Sequence, residues 1–186
     1  LETTLDLIRD VNPSDPVYHD IAASPVGVTL PEAWLLGSSG NSAIEAGRLG
    51  VGYSFAQFFM GSMTKEIFDA YRSFFVPSAY LEKPEINVTY LATVAETEEE
   101  ANYEAGPIEL HRLMKAQEML LHLTEMDKAM LAEARVKTHL IGTPQMVAEK
   151  MIKDGETFGF DEAMIVSITH TQEKRLQTYK LLAQEM

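Results

Sequence analysis

The 186-residue sequence has no cysteine, which excludes disulfides, thiolate nucleophiles and cysteine metal ligands. It has no apolar run near the roughly 20 residues that span a bilayer, and no charged segment leading into the short apolar stretch of a secretory leader. A cytoplasmic protein is expected from these absences. Basic charge is scarce as well: 15 Lys and Arg stand against 28 Asp and Glu, giving a formal charge of −13 and a pI of about 4.7. A surface of that sign repels phosphodiester backbones and anionic headgroups, so neither nucleic acid nor membrane is expected as a partner. An initiator methionine is also missing. Residues 1–10 (LETTLDLIRD) already carry apolar positions at 1, 5 and 8, one face of a helix, and read as the end of a helix from a longer protein.

What is present suits a globular chain, with 46% hydrophobic residues and ordinary numbers of glycine and proline. The length fits one domain, here 1–186. Residues 11–31 hold prolines at 13, 16, 25 and 31 without a lasting period, as a surface connection does. Four strand candidates follow: 32–36 (EAWLL), 53–58 (YSFAQF), 86–95 (INVTYLATVA) and 162–168 (EAMIVSI). Helical patterns occupy 42–49, 64–75, 97 to about 137, 144–158 and 171–186. The third of these lies in a helical insert region, 97–140, with breaks expected near Gly106-Pro107 and Thr124. Thr97 with Glu100 has capping-box spacing, and Thr143-Pro144 pairs an N-cap with a proline at the first helical position. In the last helix Leu176, Tyr179, Leu182 and Ala183 are expected to face inward. Strands alternating with helices imply an α/β fold with a parallel sheet. Four βα units are half of an eight-stranded barrel, and a small doubly wound sheet is the competing arrangement.

The loop GSSGNS (37–42) leaves the first strand and opens a helix, where backbone N–H groups and the helix dipole favour an anion such as phosphate. Ser38, Ser39 and Ser42 supply hydroxyls there, and glycines let the backbone approach a ligand. The competing reading is local: Ser42 and Glu45 have S-x-x-E spacing, so Ser42 can serve its own helix, and Glu45 would bring negative charge close to a phosphate. Gln57 and Phe58 end the second strand and suit a planar heterocycle by hydrogen bonding and stacking. His170, just past the fourth strand, is a weak candidate for acid, base or ligand contact. His111, Lys115, Glu118 and His122 share one face of a continuous helix, but of the possible ligands His111, Glu118 and His122 the first two are spaced by seven positions, two turns apart and too far for comfortable shared coordination; a solvated face and no metal site are expected. The methionines at 114, 119, 126 and 130 read as packing beside Leu110, Leu113, Leu120 and Leu121.

The segment PEAWLLGSSGNSAIEAGRLGVGYSFAQFF resembles the fifth strand, following helix and sixth strand of the bacterial luciferase-like flavin-dependent monooxygenases, which show P-E-V-W-L-L-G-S-S-x-x-S-A followed by A-x-x-L-G-x-x-x-x-F-A. Phe75-Val76-Pro77-Ser78, THLIGTPQMVAEKM and FDEAMIVSITHTQEKRLQTYKLLAQ resemble three further segments of that family. Asn41, Gly47 and Thr178 depart from it, Gly47 standing where alanine is common and Thr178 where serine is usual. The family fold is a (β/α)8 TIM barrel of well over 300 residues, so the resemblance implies that this chain covers the last four βα units.

The resemblance further implies an oxidoreductase that uses reduced FMN, supplied by a separate flavin reductase, and oxygen to oxidise a small organic substrate such as an aldehyde. It places the flavin phosphate on Ser39, Gly40 and Ser42 and a flavin-facing position near Gln57. A homo-oligomer is expected, while an isolated half-barrel is expected to self-associate or bind flavin poorly. Two alternatives remain open: an F420-dependent oxidoreductase of the same fold, and a non-catalytic flavin-binding or assembly fragment.

Overall fold

The computed structural model describes residues 1–60, 62–119 and 138–186. Within them, β1 (Trp34–Gly37), β2 (Gly52–Ala56), β3 (Ile86–Val94), β4 (His139–Gly142) and β5 (Glu162–Val166) form one parallel sheet. The helices are α1 (Glu2–Ile8), α2 (Gly40–Leu49), α3 (Gln57–Met60), α4 (Lys65–Phe74), α5 (Glu98–Met119), α6 (Pro144–Phe158) and α7 (Gln172–Leu182). The α/β class with a parallel sheet is as expected, with one strand more than the four candidates. The added strand, HLIG, is too short to show a period of its own, and it exists because Leu91–Val94 of β3 pairs with it.

β3 organises the sheet. Residues 86–89 pair with β2 and 87–91 with β5, and these overlapping registers put β2 and β5 on opposite edges. Among the described residues β1 pairs with β2 alone. Among the described residues the outer edges of β1 and β5 carry no strand partner. All nine residues of β3 are buried, as in parallel sheets covered on both faces. One face is apolar: Tyr53, Phe55, Val88, Tyr90 and Ala92 join Ala43, Ala46, Phe68, Tyr71, Val147 and Met151 from α2, α4 and α6 in the core. The other face is polar, with Ser54 Oγ 3.0 Å from Thr89 Oγ1 and Thr93 Oγ1 2.9 Å from His139 Nε2. At about 1 kcal/mol each, such bonds matter chiefly because leaving either hydroxyl unpaired would cost more.

The helices lock onto this sheet by specific ties. α2 and α4 touch so closely that a Cβ on Gly47 would lie 2.8 Å from the carbonyl oxygen of Tyr71, and Val76 N donates to Gly47 O at 2.9 Å. Arg72 of α4 donates to the carbonyls of Phe158 (2.9 Å) and Gly159 (2.6 Å), closing the end of α6. Tyr90 of β3 donates to Asp154 Oδ2 at 3.0 Å, and Lys150 pairs with the same carboxylate. Tyr80 Oη donates to Leu5 O at 2.7 Å, tying α1 to the body.

Several expected boundaries shift. The second strand stops at Ala56, and Gln57 opens the short α3. α5 runs unbroken through Gly106 and Pro107, since a proline removes a single ladder bond and the turns on either side carry the helix through. The expected break at Thr124 lies outside the described residues. Leu110 and Met114 are exposed, not packed; the side chains of Leu113 and Met119, and residues Leu120, Leu121, Met126 and Met130, lie outside what is described. In α7 the buried face is Thr178 and Leu182, while Leu176, Tyr179 and Ala183 are exposed. Thr178 turns inward because its hydroxyl accepts from Val94 N (3.2 Å) and donates to Val94 O (3.3 Å). Thr143 caps α6 as expected, accepting from Met146 N at 3.4 Å. No described helix is long and apolar enough to cross a membrane.

Candidate functional site

β1 ends at Gly37, and the chain turns at once into α2, so the strand's C-terminal edge and the helix N-terminus share one loop. Ser39 is the N-cap. Its Oγ accepts from Ser42 N at 3.3 Å, and Ser42 Oγ accepts from Ser39 N at 3.2 Å. The reciprocal box is therefore Ser39 with Ser42, which corrects the expected Ser42–Glu45 pair. The helix starts earlier than the apolar pattern suggests, because Gly40 and Asn41 contribute no apolar position to it. Glu45 falls in the second turn, and no acidic side chain sits in the first. The expected negative charge beside the loop is thus absent from the turn that faces it, where the dipole acts most strongly.

The two hydroxyls have different freedom. Ser42 Oγ donates to Ser39 O at 2.8 Å and stands 3.3 Å from Tyr53 Oη, beneath the loop. Tyr53 Oη also donates to Ser39 O at 3.3 Å. Burial pushes the Tyr53 hydroxyl upward, partly offset by its bonds to Ser42 and Ser39, so it stays a donor at neutral pH. Ser39 is exposed, and its oxygen accepts from Ser42 N and lies 3.2 Å from Ser42 Oγ. The first-turn amides of Gly40 and Asn41 precede the first intrahelical bond and are left for whatever lies beyond the helix end. A Cβ on Gly40 would meet nothing within 4 Å, whereas one on Gly37 would lie 2.2 Å from Ser42 Oγ. Gly37 is the glycine the turn requires, and Gly40 is where open space meets free amide donors. These donors, that space and the absence of acid are the chemistry a phosphate needs.

The remaining candidates lie along the same rim. Register pairs Gly37 with Phe55, so the loop at 38–39 and Gln57 leave adjacent strands at the same level. Gln57 is 4% exposed. His170 follows β5, beyond β3 from this loop, and its Nδ1 lies 2.8 Å from Glu104 Oε2. Thr97 accepts from Glu100 N at 3.2 Å, but the Glu100 carboxylate does not complete the expected capping box; it meets Lys174 Nζ at 2.6 Å. This bond to Glu100, with the nearby carboxylates, holds the Lys174 ammonium above its ordinary range. A separate cavity of about 350 Å³, lined by residues including Asn102, His139, Met146 and Lys150, shares no residue with the loop. His111 is exposed on α5; the side chain of Glu118, and His122, lie outside the described residues, within which no cluster of three or more His, Asp and Glu could hold a metal.

Sequence reasoning missed Tyr53 and Glu104. Tyr53 was legible only as a strand residue, and its hydroxyl reaches the loop through a pairing across strands. Glu104 lies in the helical region from Thr97 with no pattern that singles it out, yet it is 4% exposed.

No family model matches the chain. The uncharacterized protein YceB of Bacillus subtilis (strain 168) is 30% identical over 188 residues, covering 95% of this chain and 56% of that protein. A luciferase-like monooxygenase of Escherichia coli (strain K12) is 27% identical over 169 residues, covering 91% and 45%. The crystal structure of apo-MsnO8 superposes with a TM-score of 0.69 at 27% identity, covering 89% of this chain and 54% of that one. The chain spans about half the length of the curated relatives it matches. In sequence and in fold the chain is thus similar to luciferase-like monooxygenases.

Proposed function

We propose that this chain is the second half of a luciferase-like (β/α)8 barrel, and that its rim holds the phosphate end of FMN in a flavin-dependent monooxygenase. The observation that carries the reading is the α2 N-terminus, with its exposed Ser39 hydroxyl, free Gly40 and Asn41 amides and acid-free first turn. The open outer edges of β1 and β5 support the half-barrel part, because proteins ordinarily protect such edges. Ser39 and Gly40 would bind the phosphate directly, Ser42 would set the loop from below, and Gln57 would line the neighbouring strand end. Reduced FMN, delivered by a reductase, supplies the electrons that activate oxygen toward a small organic substrate such as an aldehyde.

The test is amide chemical-shift mapping of the chain with FMN and, separately, with riboflavin, which lacks the phosphate. FMN alone shifts the Gly40 and Asn41 amides if the reading holds; equal shifts with riboflavin, or none at these amides, overturn it. Ser39→Asp separates cap from ligand. Aspartate caps a helix as well as serine does but repels phosphate, so helix stability is kept while FMN affinity falls by at least tenfold, about 1.4 kcal/mol.

A further inference from the structure

The sheet carries apolar side chains to both of its margins. Pairing sets Leu36 level with Ser54, Met164 with Thr89 and Val166 with Leu91, so Leu36, Met164 and Val166 share the face on which Ser54 and Thr89 meet. In the middle of that face Ser54, Thr89 and Leu91 are buried. At its margins the burial ends: Leu36 is 56% exposed, Met164 50% and Val166 41%. The opposite face shows no such change, since Leu35, Ala163 and Ile165 pack on the core. Among the described residues, each outer strand thus offers an unpaired backbone edge with exposed apolar side chains beside it.

Register decides what fits both edges. Gly37 is level with Phe55, Phe55 with Val88 and Val88 with Ala163, so β1, β2, β3 and β5 form one continuous run of four parallel strands. An eight-stranded parallel barrel accumulates a shear of about eight residues per circuit, hence about four for each run of four strands. Carried from β5 to the β1 of a second copy, that shift sets Met164 level with Trp34, Ile165 with Leu35, Val166 with Leu36 and Ser167 with Gly37. A shift in the other sense would put β5 beside residues of α2, where no strand exists to pair with. The shift is even, so exposed Val166 meets exposed Leu36 while core-packed Ile165 continues Leu35; a slip of one residue would turn each to the wrong face. No charged side chain lies in 34–37 or 163–167, so the surplus of acid does not meet in the joined strands. We propose that a second copy of this chain is the partner of both edges: a two-fold axis along the barrel joins β5 of each copy to β1 of the other and closes eight parallel strands. A head-to-tail joint of this kind ends in a ring when the rotation closes, here after two copies. Each Ser39 loop then stands on the rim beside the turn that follows β5 of the other copy. This inference rests on the half-barrel part of the proposed function, but not on the flavin.

The lack of cysteine makes the joint directly testable on the full chain. Leu36 and Val166 lie three strand spacings apart along the sheet of one copy, roughly 14 Å at about 4.8 Å each, but one spacing apart across the joint, where a disulfide fits. Equal parts of Leu36→Cys and Val166→Cys, oxidised together, are expected to give a covalent dimer at least tenfold faster than either variant alone, because like positions lie on opposite sides of the barrel. Sedimentation equilibrium of the wild type is expected to give twice the 20.8 kDa of one chain. Met164→Lys, which places a charge on the joined face, is expected to raise the dimer dissociation constant at least tenfold. A wild-type monomer, an open-ended series of larger species, or single variants that cross-link as fast as the mixture overturns the proposal. The wild-type mass decides the matter even if a variant does not fold. Amide exchange then separates the readings: in a monomer, unprotected outward amides of β1 and β5 strike only the second copy, whereas protected ones strike the half-barrel reading as well. FMN mapping at Gly40 and Asn41 fails or succeeds independently of both.

Discussion

Gly47→Ala sets two effects of opposite sign against each other. In a helix interior, alanine is favoured over glycine by about 0.8–1 kcal/mol. In this chain, however, the new Cβ would stand 2.8 Å from Tyr71 O, 3.0 Å from Phe74 C and 3.1 Å from Phe75 N. All three are backbone atoms, so no side chain can swing aside; α2 and α4 must separate by several tenths of an ångström. Overpacking of this kind costs about 1–3 kcal/mol. Separation also stretches the 2.9 Å bond from Val76 N to Gly47 O, worth about 1 kcal/mol. The packing side wins, leaving a net loss of about 1–3 kcal/mol. At about 2–4 °C per kcal/mol for a chain of this size, Tm falls by roughly 2–12 °C. Thermal unfolding followed by far-ultraviolet circular dichroism reads this directly. An unchanged or higher Tm would mean that helix propensity outweighs the contact, and the account of the α2–α4 interface would be wrong.

Three further outcomes follow from the same structure. Thr178→Val keeps the shape but leaves Val94 N without its buried acceptor, and should cost about 1–3 kcal/mol in chemical denaturation. Arg72→Met removes the donors at the Phe158 and Gly159 carbonyls; because Gly159 is exposed and water can replace part of the loss, about 1 kcal/mol is expected, with faster amide exchange confined to the end of α6. Burial pushes the Tyr71 hydroxyl up to about 12, and burial with the adjacent Asp154 pushes Tyr90 up as well. A raised folded-state value gives stability that is complete below the unfolded value near 10 and is lost as pH climbs from there through about 12. For Tyr71 two such steps amount to about 2–3 kcal/mol. Absorbance at 295 nm should show these phenols ionising only together with alkaline unfolding; their titration near pH 10 in a folded chain would refute it.

The parallel α/β class was readable because β3 is a long β-branched segment and because Pro31, Gly50, Pro77 and Thr143-Pro144 punctuate the chain at real boundaries. β4 was not readable, since four residues buried by one strand partner leave no periodic trace. The start of α2 was misplaced for a related reason: Ser39 and Ser42 cap each other, and S-x-x-S lacks the acidic signature that pointed to Glu45. The loop itself was legible as an anion site from its position after a strand, but the division of labour between its hydroxyls was not. That division depends on Tyr53 Oη, which arrives from β2. Glu104 and His170 are distant in sequence, and their meeting depends on where α5 crosses the end of the sheet.

The three-way pairing of β3 bears on how the chain is assembled as it is made. β2 and β3 are joined by a short excursion through α3 and α4, so their pairing closes early. The other edge of β3 must wait until the chain from Val94 has passed through α5 and α6 and returned with Glu162–Val166. Until then β3, all nine of whose residues are buried in the finished sheet, has one open side. The entropic cost of that long return grows only as the logarithm of its length, so thermodynamics barely registers the delay, whereas the kinetics do. During synthesis the exposed edge of β3 is therefore a place where a chaperone would be expected to bind and where aggregation would be expected to begin.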